Sequence, residues 1–158
     1  MASNTYYKVA AENRKARFDY NIIEVYKAGL VLTGNEVKSL RQGLLNLQDS
    51  FGRVENSEVW LYNIHITPYG NVKLDPLRRR KALLQKRELL KLIGKVAEKG
   101  LTLVPLKVYF EGNWAKVDLA LATAKKKYEK RELLKRRTAE REIAAAFKGK
   151  TYDRKSKR

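Results

Sequence analysis

The chain contains no cysteine, one histidine, one methionine and three prolines in 158 residues. Without cysteine there is no disulfide framework and no thiol nucleophile, and a single histidine leaves little basis for a structural zinc site. No apolar run approaches the roughly 20 residues that span a bilayer, and no secretory apolar stretch follows Met1. A G-x-S-x-G elbow and a glycine-rich phosphate loop are also missing. These absences favour a cytoplasmic protein with no metal and no cofactor, and they weigh against an enzyme. His65, on a β face beside Trp60 and Ile66, reads as a packed or surface residue rather than a base. A catalytic dyad of Glu36 with Asp19 or Asp118 would require the fold to bring distant acids together.

Negative charge is scarce as well. Against 35 Lys and Arg stand 17 Asp and Glu, a formal net charge of +18. Such an excess suits nucleic acid, an acidic protein or an anionic membrane, the last being the weakest match. The charge is uneven: from Lys125 to Arg158 there are 15 basic and 5 acidic residues, a net of +10. A second basic stretch runs from Arg78 to Lys91, with Glu88 its one acid.

What is present in strength is a hairpin pattern between Leu101 and Ala122. Thr102, Val104, Leu106, Val108 and Phe110 alternate with Leu103, Lys107 and Tyr109. Glu111-Gly112-Asn113 supplies a turn, and Ala115, Val117, Leu119 and Leu121 alternate with Lys116 and Asp118. One face is apolar and must be buried, while the other carries charge toward water or a polar partner. Pro105 cannot donate a ladder hydrogen bond, which predicts a sheet edge or a bulge there.

Elsewhere, residues 1–12 lack periodicity and read as a flexible N-terminal arm. A strand is expected from Ile22 to Leu32, disturbed near Gly29. Thr33-Gly34-Asn35-Glu36 has the form of a capping box, opening a short helix that presents Val37 and Leu40 inward and ends at Gly43. Phe51–Val54 and Val59–Ile66 read as strands, with Trp60, Tyr62, Ile64 and Ile66 on one face. Asp75 and Pro76 read as the start of a helix over 76–97 with a stripe of Ala82, Leu89, Ile93 and Val96, exposing Arg78, Arg79, Arg80 and Lys81 on its first turns. Gly94 is a candidate break in it, and Gly100 its end. The tail has helix-forming composition with a thin apolar stripe of Ala139, Ile143 and Phe147. Arg137 and Arg141 are like charges at i and i+4, a penalty that a polyanion would remove. The tail is therefore expected to be weakly ordered alone and helical when bound, with the last ten residues disordered.

The fold expected is mainly β: a small antiparallel OB-like β-barrel, closed or partly closed, with about three flanking helices and a basic C-terminal tail. The boundaries are a flexible arm over 1–12, an RNA-binding body over 13–123 and the tail over 124–158. Tyr20, Tyr69, Tyr109 and Tyr128 lie beside the basic clusters and can stack bases. Nothing displays a recognition helix for duplex DNA, so structured RNA fits better. Two further readings are a ribosome-associated structural protein and an RNA hydrolase, the latter requiring a buried acid or His65 in a groove.

Several stretches together resemble the bacterial SsrA-binding protein (small protein B, SmpB) family. They are Asn13-Arg14-Lys15-Ala16-Arg17-Phe18-Asp19-Tyr20, the run Ala28–Arg41 containing Thr33-Gly34-Asn35-Glu36-Val37-Lys38-Ser39, the block from Asp75-Pro76 through Lys81-Ala82-Leu83-Leu84, the segment Gly100–Lys107, and Lys125-Lys126 with Tyr128-Glu129-Lys130-Arg131. The chain departs from the family pattern at Ala124, where Gly is usual, at Lys27, where an acid is expected, at Ala82 for Leu, and at Gln85.

The resemblance implies a non-catalytic protein that binds the tRNA-like domain of transfer-messenger RNA and accompanies it to the A site of stalled ribosomes for trans-translation. The implied partners are transfer-messenger RNA, the ribosome through 16S and 23S rRNA, and EF-Tu with GTP through the RNA complex, the tail occupying the vacant mRNA channel. The implied RNA-binding residues are Asn13, Arg14, Lys15, Arg17, Glu36, Lys38, Ser39, Arg41, Lys81, Leu83 and Gln85. The implied ribosome-binding residues are Lys125, Lys126, Tyr128, Lys130, Arg131, Arg136 and Arg137. For Glu36 two roles stay open, accepting hydrogen bonds from a base or 2′-hydroxyl, or only capping its helix.

Overall fold

The Leu101–Ala122 pattern folds as two long antiparallel strands on which the rest of the sheet is built. The computed structural model describes residues 6–98 and 100–155. In chain order the elements are β1 (Tyr7–Glu12), α1 (Arg14–Asp19), β2 (Tyr20–Leu30), α2 (Gly34–Arg41), β3 (Leu45–Asn46), β4 (Phe51–Glu55), β5 (Glu58–Tyr62), β6 (His65–Ile66), β7 (Arg80–Leu83), α3 (Lys86–Val96), β8 (Leu101–Glu111), β9 (Trp114–Ala124) and α4 (Lys127–Lys155). They divide into two units, Met1–Ala124 and Lys125–Arg158. The described chain is thus mostly β sheet with four helices.

In the first unit the strands pair in the order β1-β8-β4-β5-β7-β2-β9, and β9 pairs back onto β8. β3 and β6 form a separate two-stranded ladder. The main core is made by Tyr26, Ala28, Leu30, Leu40, Leu61, Ile64, Leu92, Leu103, Val108, Phe110, Val117, Leu119 and their neighbours.

The hairpin departs from a simple two-faced strand pair. The β8–β9 register shifts between Pro105 and Lys107, a bulge at the proline as the sequence predicts, although β8 is flanked on both edges. The extra residue reverses the phase of the strand. Val108 and Phe110 share the main core with Leu103, whereas Val104 and Leu106 join a second cluster with Ala16 and Ala120, flanked by Tyr20 and Ile22. Over that stretch Val104 and Leu106, expected to join the main core, pack against α1 instead, and Leu103, expected to face water, takes the main-core side. A second bulge, between Ile22 and Glu24, disturbs β2 in place of the irregularity expected at Gly29, where the register is continuous.

Several expectations fail for a common reason, long-range pairing overriding local pattern. Residues 7–12 are not a loose arm: β1 adds to the edge of β8, with the Tyr7 ring 5.1 Å from that of Tyr109 and the Lys107 ammonium donating to the Tyr7 hydroxyl. The expected Val59–Ile66 strand is interrupted by Asn63 in the left-handed region (φ 58°). The buried set is consequently Val59, Leu61, Ile64 and Ile66, while Trp60 and Tyr62 turn outward. The two-residue turn joining β4 and β5 holds Asn56 and Ser57 both left-handed, the arrangement that matches strand twist.

The largest difference concerns the helix expected over 76–97. Asp75 accepts from the Leu77 amide in a short turn, and residues 80–83 then form β7 between β5 and β2. Only Lys86–Val96 is helical, seating Leu92 with Leu89 and Val96 against the core and running through Gly94 unbroken. The tail differs too. α4 is one continuous helix, so residues 149–155 are helical rather than disordered, while the last three residues lie outside the described set. Its Ala, Leu, Lys, Arg and Glu content favours helix without packing, and the Glu129 carboxylate accepts from the Lys126 amide at its start.

β4 and β8 touch at one register pair, Gly52 with Leu103. A Cβ on Gly52 would stand 2.9 Å from Leu103 Cβ and 3.3 Å from Leu61 Cδ2, so only glycine permits this approach. Gly52→Ala is expected to destabilise the first unit by about 1–3 kcal/mol through overpacking, read as a lower denaturant midpoint than wild type. An unchanged midpoint would mean that β4 can retreat without cost.

Candidate nucleic-acid interface

The basic surface is held in place by a buried carboxylate. Thr33 caps α2, with its hydroxyl accepting from the Glu36 amide and the Glu36 carboxylate accepting from the Thr33 amide at 3.0 Å. The same carboxylate accepts from Arg78 Nη2 at 2.7 Å and, through its other oxygen, from Arg80 Nε at 2.9 Å and Nη2 at 2.7 Å. Arg80, wholly buried, also donates to the carbonyls of Ile64 and Pro76. A carboxylate has about four lone-pair positions, and all four are used here. Glu36 is thereby committed to joining α2, the 75–79 loop and β7, which leaves no acceptor capacity for a base or 2′-hydroxyl.

Burial pushes the Glu36 carboxyl up, but hydrogen bonds from Arg78, Arg80 and the Thr33 amide outweigh it and hold the group below its ordinary value. Taking such a pair out of water is costly and is offset only because each partner's remaining hydrogen-bonding groups are also engaged.

Around this anchor α2 presents Lys38 and Arg41 to solvent. Lys38 lies 5.6 Å from the centre of the Tyr69 ring, and Arg41 lies over Phe110 at 5.1 Å. Asn35 pins Tyr69 by two hydrogen bonds of 2.9 Å, to its carbonyl and from its amide. Ser39 is fully buried and donates to the Thr67 carbonyl. The helix ends in a Schellman turn at Gly43, whose φ is 71°, with Gly43 and Leu44 amides donating to the Leu40 and Ser39 carbonyls. On β7, Lys81 pairs with Glu58 and Leu83 is half exposed. Gln85 precedes α3 without capping it.

The second basic group sits on α1. Asn13 is buried, accepts from the Ala16 amide as N-cap, and donates both amide hydrogens, to the carbonyls of Leu47 and Pro105. Its own amide donates to Leu106 O at 2.6 Å, the carbonyl displaced at the bulge. Asn13 is thus spent on fixing α1, and Arg14, Lys15 and Arg17 are the side chains α1 turns to solvent.

In the second unit, Lys126, Tyr128, Arg131, Arg136 and Arg137 are exposed and Lys125 and Lys130 half-buried. Of the tyrosines proposed for stacking, Tyr69 and Tyr128 are exposed, Tyr20 is half-buried, and Tyr109 is buried, its hydroxyl pushed up to about 12 by burial and by Asp118. His65 is exposed. Among the described residues no group of three metal-ligating side chains occurs.

The sequence reading missed Arg80 as the buried centre of the site. A run of four cations looks solvated throughout, and only the strand alternation Arg80-in, Lys81-out, Ala82-in, Leu83-out separates them. Arg79, next to it, lies over Trp60 at 4.5 Å and pairs with Glu55.

Removing one partner of a buried pair strands the other. Glu36→Gln is expected to cost about 3–5 kcal/mol at neutral pH. Because the folded carboxyl binds its proton less readily than the unfolded one, the wild-type contribution is complete above the ordinary carboxylate range and is lost as pH falls through the depressed folded value. Chemical unfolding of wild type and variant between neutral and acid pH should show the difference shrinking with acidification. A constant difference would mean that the carboxylate charge does not hold the network.

The chain matches the family described as "SmpB protein" over residues 10–149. An SsrA-binding protein of Carboxydothermus hydrogenoformans is 57% identical over 146 residues, 90% of this chain and 98% of that protein. One of Sulfurihydrogenibium sp. is 58% identical over 146 residues, 90% and 96% of the two chains. A solved structure described as "tmRNA-SmpB: a journey to the center of the bacterial ribosome" superposes with a TM-score of 0.63 at 53% identity, covering 74% of this chain and 85% of that one. With matches of this extent at this identity, the chain belongs to the SmpB protein family.

Proposed function

We propose that this chain binds the tRNA-like domain of transfer-messenger RNA (SsrA RNA) and accompanies it to the A site of stalled ribosomes in trans-translation, acting as an RNA-binding adaptor with no catalytic step of its own. The observation that carries the reading is that α1 and α2 display Arg14, Lys15, Arg17, Lys38 and Arg41 outward while their buried residues, Asn13, Glu36 and Ser39, fix both helices to the sheet. Rigid cations on a preorganised body suit phosphate contacts to a folded RNA, recognised by shape. Lys81, Leu83 and Gln85 extend this RNA face. The body is read as a closed OB-like barrel, supported by the pairing of β9 back onto β8, and one side of it is assigned to the elbow and D-loop side of the RNA.

Lys125, Lys126, Tyr128, Lys130, Arg131, Arg136 and Arg137 form the ribosomal contact, with α4 lying in the vacant mRNA channel and contacts to 16S and 23S rRNA. EF-Tu with GTP joins through the RNA complex. The site of action is the cytoplasm; among the described residues no helix is long and apolar enough to cross a membrane. The division of labour follows the two units, with the body over 13–123 and the tail over 124–158.

Titration of the tRNA-like RNA domain with the full chain and with residues 1–124 tests this. Neutralising 6–10 phosphates predicts a loss of roughly 10³–10⁵-fold in affinity between 50 and 200 mM salt. The truncated chain should bind that RNA nearly as well as the full one yet fail to support tagging of nascent chains on stalled ribosomes. Equal loss of RNA affinity on truncation would overturn the assignment of RNA binding to the body. Stoichiometric co-purification with bulk ribosomes would favour a permanent ribosomal component instead.

A further inference from the structure

Beside α1 the body contains a cavity of about 290 Å³ whose lining includes Lys15, Tyr20, Asp49, Phe51 and Thr102. Ordinary small-molecule pockets run to roughly 300–1,000 Å³, so this one has room for a single base rather than a whole cofactor. Two features set it apart. Asp49 places a carboxylate in the surface that carries Arg14, Lys15 and Arg17, where an acid weakens the attraction for a polyanion. Tyr20 and Thr102 bring hydroxyl-bearing side chains to the same lining.

We propose that this cavity receives one unstacked guanine of the bound RNA, with the Asp49 carboxylate accepting from its N1–H and exocyclic N2–H and Lys15 passing from Asp49 to the adjoining phosphate. The inference rests on the RNA-binding reading above and adds a base-specific contact to it. Carboxylates only accept, and guanine is the base whose Watson–Crick edge offers two adjacent donors. Adenine and cytosine offer one amino group each. The present partner of Asp49 is Lys15 at 3.7 Å, with side chains 74% and 54% exposed, a pairing loose enough to be exchanged. Asp49, whose backbone is left-handed (φ 59°), is one of the residues that line the cavity. Phe51 and Tyr20 add aromatic residues to the lining, and unstacked loop bases are the usual targets of sequence-specific RNA recognition.

The test uses the full-length chain and the isolated tRNA-like domain of SsrA RNA. Asp49→Asn keeps a residue that tolerates the left-handed backbone, so the fold should survive, and thermal unfolding checks this. The expected result is a loss of about tenfold in affinity, with the slope of log K against log salt unchanged. Kethoxal, which attacks unpaired guanine at N1 and N2, should find one guanine protected by the wild type and exposed in the variant. If Asp49→Asn binds as tightly or more tightly, the acid merely repels phosphate and the proposal is overturned. Wild-type binding with no guanine protected also removes the base site while leaving RNA binding intact. Absence of salt-dependent wild-type binding would overturn both readings.

Discussion

The ion pair between Glu36 and Arg80 is the constraint on which the body's arrangement depends. It joins residues 44 positions apart in sequence and brings together a helix cap, a loop and a central strand. Around the pair every other hydrogen bond is also supplied by the fold, to Glu36 from Arg78 and the Thr33 amide and from Arg80 to the carbonyls of Ile64 and Pro76. Register is therefore specified as well as stabilised: a one-residue slip of β7 would exchange Arg80 for Lys81, whose ammonium cannot reproduce the forked guanidinium bonds to Glu36 and to the Ile64 and Pro76 carbonyls. The exposed cations of α2 inherit their positions from this lock.

A similar economy holds at α1. A six-residue helix has little stability of its own. Asn13 supplies it by satisfying four backbone groups at once, and Ala16 seats it on Val104, Leu106 and Ala120. Both basic helices are thus short elements made rigid by a buried polar residue near their N-terminus, which is where sequence resemblance alone would assign RNA contact.

What could be read in the chain follows the range of the interactions involved. The β8–β9 hairpin and the Thr33–Glu36 cap were legible because alternation, a Gly-containing turn and a three-residue spacing are local. The bulge at Pro105 was legible for the same reason, since the missing amide hydrogen is a property of the residue itself. By contrast, Leu77–Val96 carries helical spacing throughout, and nothing within it announces that residues 80–83 are claimed by β5 and β2. Nor does Tyr7–Glu12 signal its pairing, which depends on an edge of β8 about a hundred residues away. Arg80 was hidden by its neighbours, three similar cations of which Arg79 is exposed and Arg78 and Lys81 are half-buried.

The bulge in β8 has a geometric consequence for recognition. By freeing the Leu106 carbonyl to accept from Asn13, it gives α1 a single docking position along the hairpin, with no equivalent site two residues up or down. The spacing between the cations of α1 and those of α2 is then a fixed length rather than an adjustable one. Built this way, the body is a ruler, holding two sets of cations at one set separation on a single sheet.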